Sequence, residues 1–294
     1  MMKVAIYGRF ENNFPKEYVS IVLEQLSIHD VSIYVESSAL KYIEQISSEG
    51  FSSFSSYKDL DDSFAFFISI GGDGTILRSI SYVRNSGIPI VGVNTGRMGF
   101  LATIQKDKIK SSIDEIVKGE YGISERSLLK LKSETKIEGL DEEFNFALNE
   151  ISVSRKNTTS MIKVQTFLNN EYLTSYWADG LIVASPTGST GYSLSCGGPV
   201  VAPDSDSFVL TPIAPHNLNA RPLVIPEKTE IKLIVGGRED SHLVSLDSRV
   251  ITVKNGTELI IQKADFNINM IEPKGESFLH TLRNKLLWGE DNRN

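Results

Sequence analysis

Short apolar runs alternate with stretches of helical spacing over the first hundred or so residues. Residues 3–7 form an apolar strand. Residues 15–26 place Tyr18, Ile21, Val22 and Leu26 on one helical face, behind a proline suited to a first turn. Residues 31–35 read as strand and 39–46 as helix. Residues 64–70 are almost wholly apolar, as in a strand covered on both faces. A helix over 75–83 ends at Asn85-Ser86-Gly87, a second buried strand covers 88–93, and an amphipathic helix over 108–117 stops at Gly119. This strand–helix alternation predicts an α/β domain over residues 1–124, doubly wound around a mostly parallel sheet.

The pattern changes near Ser124. Strand-like runs follow at 128–132, 144–153, 162–168, 181–185, 208–213, 230–235, 242–246, 250–254 and 258–263. Asn169-Asn170, Gly236-Gly237 and Asn255-Gly256 separate them, and Asn-Gly between alternating runs signals a hairpin. Residues 125–270 are therefore expected to form a mainly β domain. In the tail, 271–294, residues 278–288 carry Leu279, Leu282, Leu286 and Leu287 on one side, which predicts a closing helix that returns to the first domain.

A length of 294 residues fits two domains. The balance of 30 basic against 37 acidic residues, a net charge of −7, argues against a nucleic-acid or anionic-membrane surface. Any bound polyanion must then be met by backbone N–H groups, a few arginines and a metal ion. The apolar run 64–70 is too short to span a bilayer. The chain enters its first strand at Lys3 with no secretory signal pattern, and Cys196, its one cysteine, permits no intrachain disulfide, so a cytoplasmic location is expected. With that one cysteine and four scattered histidines, no zinc site is expected.

The sharpest chemistry is Gly71-Gly72-Asp73-Gly74-Thr75, between a buried strand and a helix. Glycines there let a phosphate approach the backbone, and the N–H groups that open the helix face an anion. Asp73 has two readings: a general base that deprotonates an acceptor hydroxyl, with a metal nearby, or a cap on the following helix. Arg78 either reaches a pyrophosphate or is a solvated surface residue. The strand 88–93 runs into a second glycine-rich turn, where Asn94 either borders a ligand cleft or makes a plain Asx turn. Asn149-Glu150 can bracket a ribose diol or face water as a polar edge pair. From Asp179 the chain runs through an apolar strand into Ser185-Pro-Thr187-Gly-Ser-Thr190-Gly191-Tyr192-Ser-Leu-Ser195, a loop of small hydrogen-bonding groups with one stacking ring, suited to a nucleotide. A tight connection between strands is the plainer reading. Cys196 lacks a basic neighbour and reads as packing.

Taken in order, Gly71–Thr75, Asn149-Glu150, Asp179-Gly180 with Ser185–Tyr192, and Leu210-Thr-Pro through Arg221-Pro make the chain resemble the NAD kinase family over nearly its whole length. The first block is shared with lipid kinases and phosphofructokinases; the Pro-Thr-Gly-Ser-Thr block with Asn-Glu upstream is specific. The resemblance implies transfer of a phosphoryl group from ATP, or polyphosphate in some members, to the 2′-hydroxyl of the adenosine ribose of NAD. It implies Asp73 as proton acceptor, and Gly71, Gly72 and Gly74 beside the phosphates. Asn149 and Glu150 would hold the adenosine part of NAD, Asp179 would contact NAD, and Thr190, Gly191, Tyr192 and Ser195 would line its site. It further implies a divalent cation such as Mg²⁺ and a homo-oligomer, dimer or tetramer. Two positions depart from the family pattern: Gly191, where many members have alanine, and Asp247-Ser248-Arg249, where many have Asp-Gly-Gln.

Overall fold

Apolar runs become parallel strands in the first part of the chain because helices cover both of their faces. The computed structural model describes every residue except 12, 13, 48, 49, 158, 159, 218 and 288–294. It divides into two units, Met1–Glu125 with Ile268–Asn294, and Arg126–Asn267.

The first unit contains β1 (Met2–Gly8), α1 (Lys16–Ser27), β2 (Val31–Glu36), α2 (Ser37–Ile43), β3 (Ser52–Phe54), β4 (Phe64–Gly71), α3 (Asp73–Val83), β5 (Ile90–Asn94) and α4 (Ile109–Val117). Its strands lie in the order β5-β4-β1-β2-β3, every neighbouring pair parallel. Val4, Ile6, Ile68, Ile70, Val91 and Val93 form one core with Val19, Val22 and Leu26 of α1 and Ile109, Ile113 and Ile116 of α4. Gly92 points the other way, where a Cβ would stand 2.5 Å from Ile76 of α3. The strand order reverses between β1 and β4, and in such sheets the strand ends diverge there into a ligand crevice. Gly71 ends β4 at that point.

The second unit contains β6 (Tyr121–Lys132), β7 (Phe146–Ala147), β8 (Glu150–Ser154), β9 (Ile162–Leu168), β10 (Glu171–Ala178), β11 (Gly180–Ala184), α5 (Tyr192–Ser195), β12 (Ser207–Ile213), β13 (Leu223–Pro226), β14 (Ile231–Gly236), β15 (Ser241–Leu246), β16 (Arg249–Lys254) and β17 (Glu258–Pro273). β6 starts, and β17 finishes, within the first unit's residues, where Met270 pairs with Ile90 of β5. One sheet runs β10-β9-β14-β17, with β6 and β7 beside it; the other runs β13-β12-β11-β8-β15-β16. Val164, Leu233 and Ile261 of the first sheet share a core with Val153, Leu181, Phe208 and Val244 of the second.

Four readings of the pattern need correction. Residues 144–153 are not one strand: a short 3₁₀ turn over Glu142–Phe144 and the brief β7 precede a break, and β8 starts at Glu150. The ladder stops there because the N–H groups of Leu148, Asn149 and Glu150 turn to the Asp247 carboxylate instead. The last strand continues past 263 to Pro273. Short β3 and β13, and the edge strand β10 with its exposed Tyr172, Leu173 and Trp177, carry no clean apolar alternation. Finally, the closing helix α6 (Phe278–Leu286) leaves Leu279 and Leu287 exposed and buries Thr281, while Phe278 meets the Phe100 ring at 6.4 Å. Trp288, expected at its end, lies outside the described residues. Among the described residues no helix is long and apolar enough to cross a membrane.

Candidate active site

Asp73 opens α3, directly after the open turn of Gly71 and Gly72. Its carboxylate does not cap its own helix. Oδ2 accepts the N–H of Phe100 at 2.8 Å, and Oδ1 accepts those of Leu101 and Ala102, each at 3.0 Å. Gly99 makes this approach possible, since a Cβ there would stand 1.8 Å from Oδ1. Gly71 is needed for a similar reason: a Cβ would lie 2.2 Å from Thr75 Oγ1. At Gly72 and Gly74, by contrast, a Cβ would meet nothing within 4 Å. The two glycine turns are joined by the Thr95 N–H, which donates to the Gly71 carbonyl at 3.2 Å. Asn94 is buried and committed to the second turn. Its Nδ2 donates to the carbonyls of Arg97 and Ala102 and its Oδ1 accepts from Gly96 N, which is the Asx arrangement. Arg78 is exposed on α3.

In the second unit the predicted blocks meet at the end of β8. Asp247, at φ 52° in the turn after β15, accepts the N–H groups of Leu148, Asn149 and Glu150 at 2.8–3.2 Å. The Asn149 carbonyl accepts the Ser185 N–H at 2.9 Å, and Gly188 sits so close that a Cβ would stand 1.9 Å from that same oxygen. The loop after β11 is held from inside by its small hydroxyls: Ser189 accepts the Val201 N–H, Ser193 bonds Thr211 Oγ1 at 2.8 Å, and Thr190 donates to the Thr187 carbonyl. Thr187 is buried within the loop, where its carbonyl accepts from Thr190. Tyr192 and Ser195 are exposed at the outer end. A Cβ at Gly191 would lie 3.3 Å from Glu150 Oε2, and the Tyr192 backbone bonds that carboxylate. Asp179 pairs with Arg155 at 2.8 Å and acts, with Glu150, on the Tyr192 phenol.

Two family profiles fit the chain in the order of these two units. The ATP-NAD kinase N-terminal domain matches residues 12–121 and the ATP-NAD kinase C-terminal domain matches residues 148–273. The chain belongs to the NAD kinase family. Relatives named NAD kinase include one from Christiangramia forsetii, 56% identical with all of both chains covered, and one from Bacteroides fragilis, 38% identical over 99% of this chain and 100% of its own. The fold resembles a yeast NADH kinase complexed with NADH at a TM-score of 0.88 and 22% identity, covering 100% of this chain and 89% of that one. It also resembles an NAD kinase from Archaeoglobus fulgidus in complex with ATP, at a TM-score of 0.75 and 26% identity, covering 97% and 99%. The chain is thus a transferase, a kinase of NAD.

Arg249, where many NAD kinases have a glutamine, turns inward. Its guanidinium donates to the carbonyls of Phe144 and Phe146, stacks on the Phe144 ring at 3.5 Å, and favours the charged form of Asp247. It clamps the segment leading to Asn149, a role that residue type alone did not reveal. Asp247 was likewise not singled out as a site residue; a carboxylate in a hairpin turn reads as an ordinary turn former.

Glu150 is a strongly perturbed carboxyl of the site. Burial first, and then the neighbouring Asp247 charge, push it up to about 8, against a backbone bond from Tyr192, and its Oε2 has no partner among the described residues. Burial also raises Asp247, opposed by its three N–H donors and Arg249. A raised folded pKa means that the native chain holds a proton the unfolded chain has released. Stability is therefore expected to fall as pH rises from about 5 to about 8, by up to about 1.4 kcal/mol per pH unit from Glu150. Glu150→Gln should flatten that slope. Denaturant unfolding at about pH 5.5 and about pH 7.5 checks it, and equal slopes in both proteins would refute the assignment.

Among the described residues no cluster of three or more His, Cys, Asp or Glu could hold a metal ion, and both oxygens of Asp73 already accept N–H groups. Two cavities of the second unit lie apart from most of the motif residues. One of about 900 Å³ lies along residues 133–138 and 252–258. Another, of about 660 Å³, is lined by Arg155, Lys163, Trp177 and Arg238 and reaches the motif only through the partner of Asp179.

Proposed function

We propose that the chain transfers the terminal phosphoryl group of ATP to the 2′-hydroxyl of the adenosine ribose of NAD, giving NADP, with Asp73 as proton acceptor. The observation that carries this reading is the state of the Asp73 carboxylate. Three N–H groups fix its position, yet Oδ2 accepts one of them and keeps acceptor capacity for a hydroxyl. A carboxylate so held needs no reorganisation when the hydroxyl arrives, and phosphoryl transfer depends mostly on alignment and charge neutralisation. The open space at Gly72 and Gly74, beside the first N–H groups of α3, suits the donor's phosphates.

Asn149, Glu150, Asp179, Thr190, Gly191, Tyr192 and Ser195 are assigned to NAD. The unpartnered Glu150 oxygen supports this, being a buried acceptor that a ribose hydroxyl would satisfy, and the exposed Tyr192 ring offers a stacking face. Asn94 and Thr187 act on their loops rather than on the ligand. The exposed apolar residues of the edge strand β10 support self-association as a dimer or tetramer.

The test is NADP formation by the purified chain from NAD and MgATP, read with an NADP-specific dehydrogenase, with diacylglycerol as the competing acceptor. NADP that appears only when NAD is supplied is the expected result; phosphorylation of the lipid without NADP would overturn the proposal.

A further inference from the structure

Lys285 lies in the last turn of α6, far along the chain from every motif considered above. Its ammonium stands 3.9 Å from Asp73 Oδ2 and 4.7 Å from the centre of the Phe100 ring. The first distance is too long for a hydrogen bond. Asp73 is held by three backbone N–H groups without it, so the lysine is not what positions the carboxylate. Its charge nevertheless faces the oxygen that keeps a free acceptor direction, and its side chain stays one-third exposed.

The helix that presents it is firmly seated. Ser277 caps α6 by accepting from His280 N. Glu276, just before it, accepts from Lys108 at 2.5 Å and pairs with His280 at 3.0 Å. Phe278 packs on Phe100, whose own N–H binds Asp73. The closing helix is thus docked on the very turn that fixes the carboxylate.

Resting on the kinase reading, we infer that Lys285 binds the phosphoryl donor at the transferred phosphate. A polyphosphate brought to the start of α3 meets a carboxylate of like charge. An ammonium beside that carboxylate offsets the repulsion, and can donate to a phosphoryl oxygen as charge develops there. This acidic chain, with a net charge of −7, otherwise offers the donor the backbone N–H groups of this turn and the exposed Arg78 of α3.

The test compares the wild-type chain with Lys285→Ala and Lys285→Arg. Three quantities are read: kinetics with varied ATP and varied NAD, calorimetric binding of inorganic tripolyphosphate without NAD, and thermal melting. Lys285→Ala is expected to lose at least about tenfold in kcat/KM for ATP and in tripolyphosphate affinity, with KM for NAD and melting little changed. Lys285→Arg should retain part of both. Unchanged ATP kinetics and tripolyphosphate binding in Lys285→Ala overturn the inference while NADP formation stands. A lower melting temperature with equal losses toward both substrates, not recovered by arginine, overturns it in favour of a purely structural helix. A wild type that makes no NADP, yet binds tripolyphosphate through Lys285, overturns the kinase reading and leaves the anion site.

Discussion

Replacing Asp73 by asparagine is expected to lower turnover by at least about two orders of magnitude, the usual scale for loss of a positioned base. The isosteric amide keeps the shape of the side chain but turns one oxygen into a donor. If its remaining oxygen stays on Leu101 and Ala102, the new NH₂ faces the Phe100 N–H, donor against donor. Losing one charge-assisted bond costs about 1.5–3 kcal/mol. A modest fall in melting temperature is therefore expected beside the kinetic loss, and the chain should still fold. Because NAD is assigned to residues of the second unit, KM for NAD should change little. Steady-state kinetics and a thermal melt of the same preparation separate the two effects. Near wild-type turnover would remove Asp73 from the mechanism.

Gly188→Ala is expected to destabilise the chain by about 2 kcal/mol or more, the upper range for overpacking a site that cannot relax. The new methyl would stand 1.9 Å from the Asn149 carbonyl oxygen, 2.4 Å from its carbon and 2.7 Å from its Cα. Those are backbone atoms, and they are pinned: the Asn149 N–H is held by Asp247 and its carbonyl by Ser185. Relief has to come by pushing the Pro186–Thr190 turn away from Asn149 and Glu150, which would also cost NAD affinity. Gly191→Ala is the matching control. Its methyl would come no closer than 3.3 Å to Glu150 Oε2, a contact that a shift of a few tenths of an ångström relieves, so folding should survive. Denaturant unfolding and NAD titration of both variants check the contrast. Equal stability in the two would show that the loop does not press on Asn149 as described.

Most elements of the first unit, though not β3, and the blocks of the site were legible in the sequence. A parallel strand covered on both faces must be apolar throughout, so β4 and β5 were legible as runs, and the glycines at their ends as places where backbone comes close to something. Gly71–Thr75, Asn149-Glu150 and the loop after β11 carried the family resemblance, which the matching profiles bear out. Local pattern did not reach contacts made across sequence distance. The donors to Asp73 stand 27 to 29 residues downstream, and Asp247 supports a segment 97 to 99 residues before it. Hydrogen-bond partners of that kind leave no periodicity. The apparent strand 144–153 failed for the same reason: its apolar residues promised a ladder, and a carboxylate nearly a hundred residues on took its N–H groups. The exposed leucines of α6 show the converse, since helical spacing identifies a stripe but packing chooses which residues face inward. Only the tertiary structure shows Asn94 bonded into its own turn and Thr187 buried in its loop. It also put an unremarked lysine beside the Asp73 carboxylate, because that depends on where a helix docks and not on what its neighbours in the chain are.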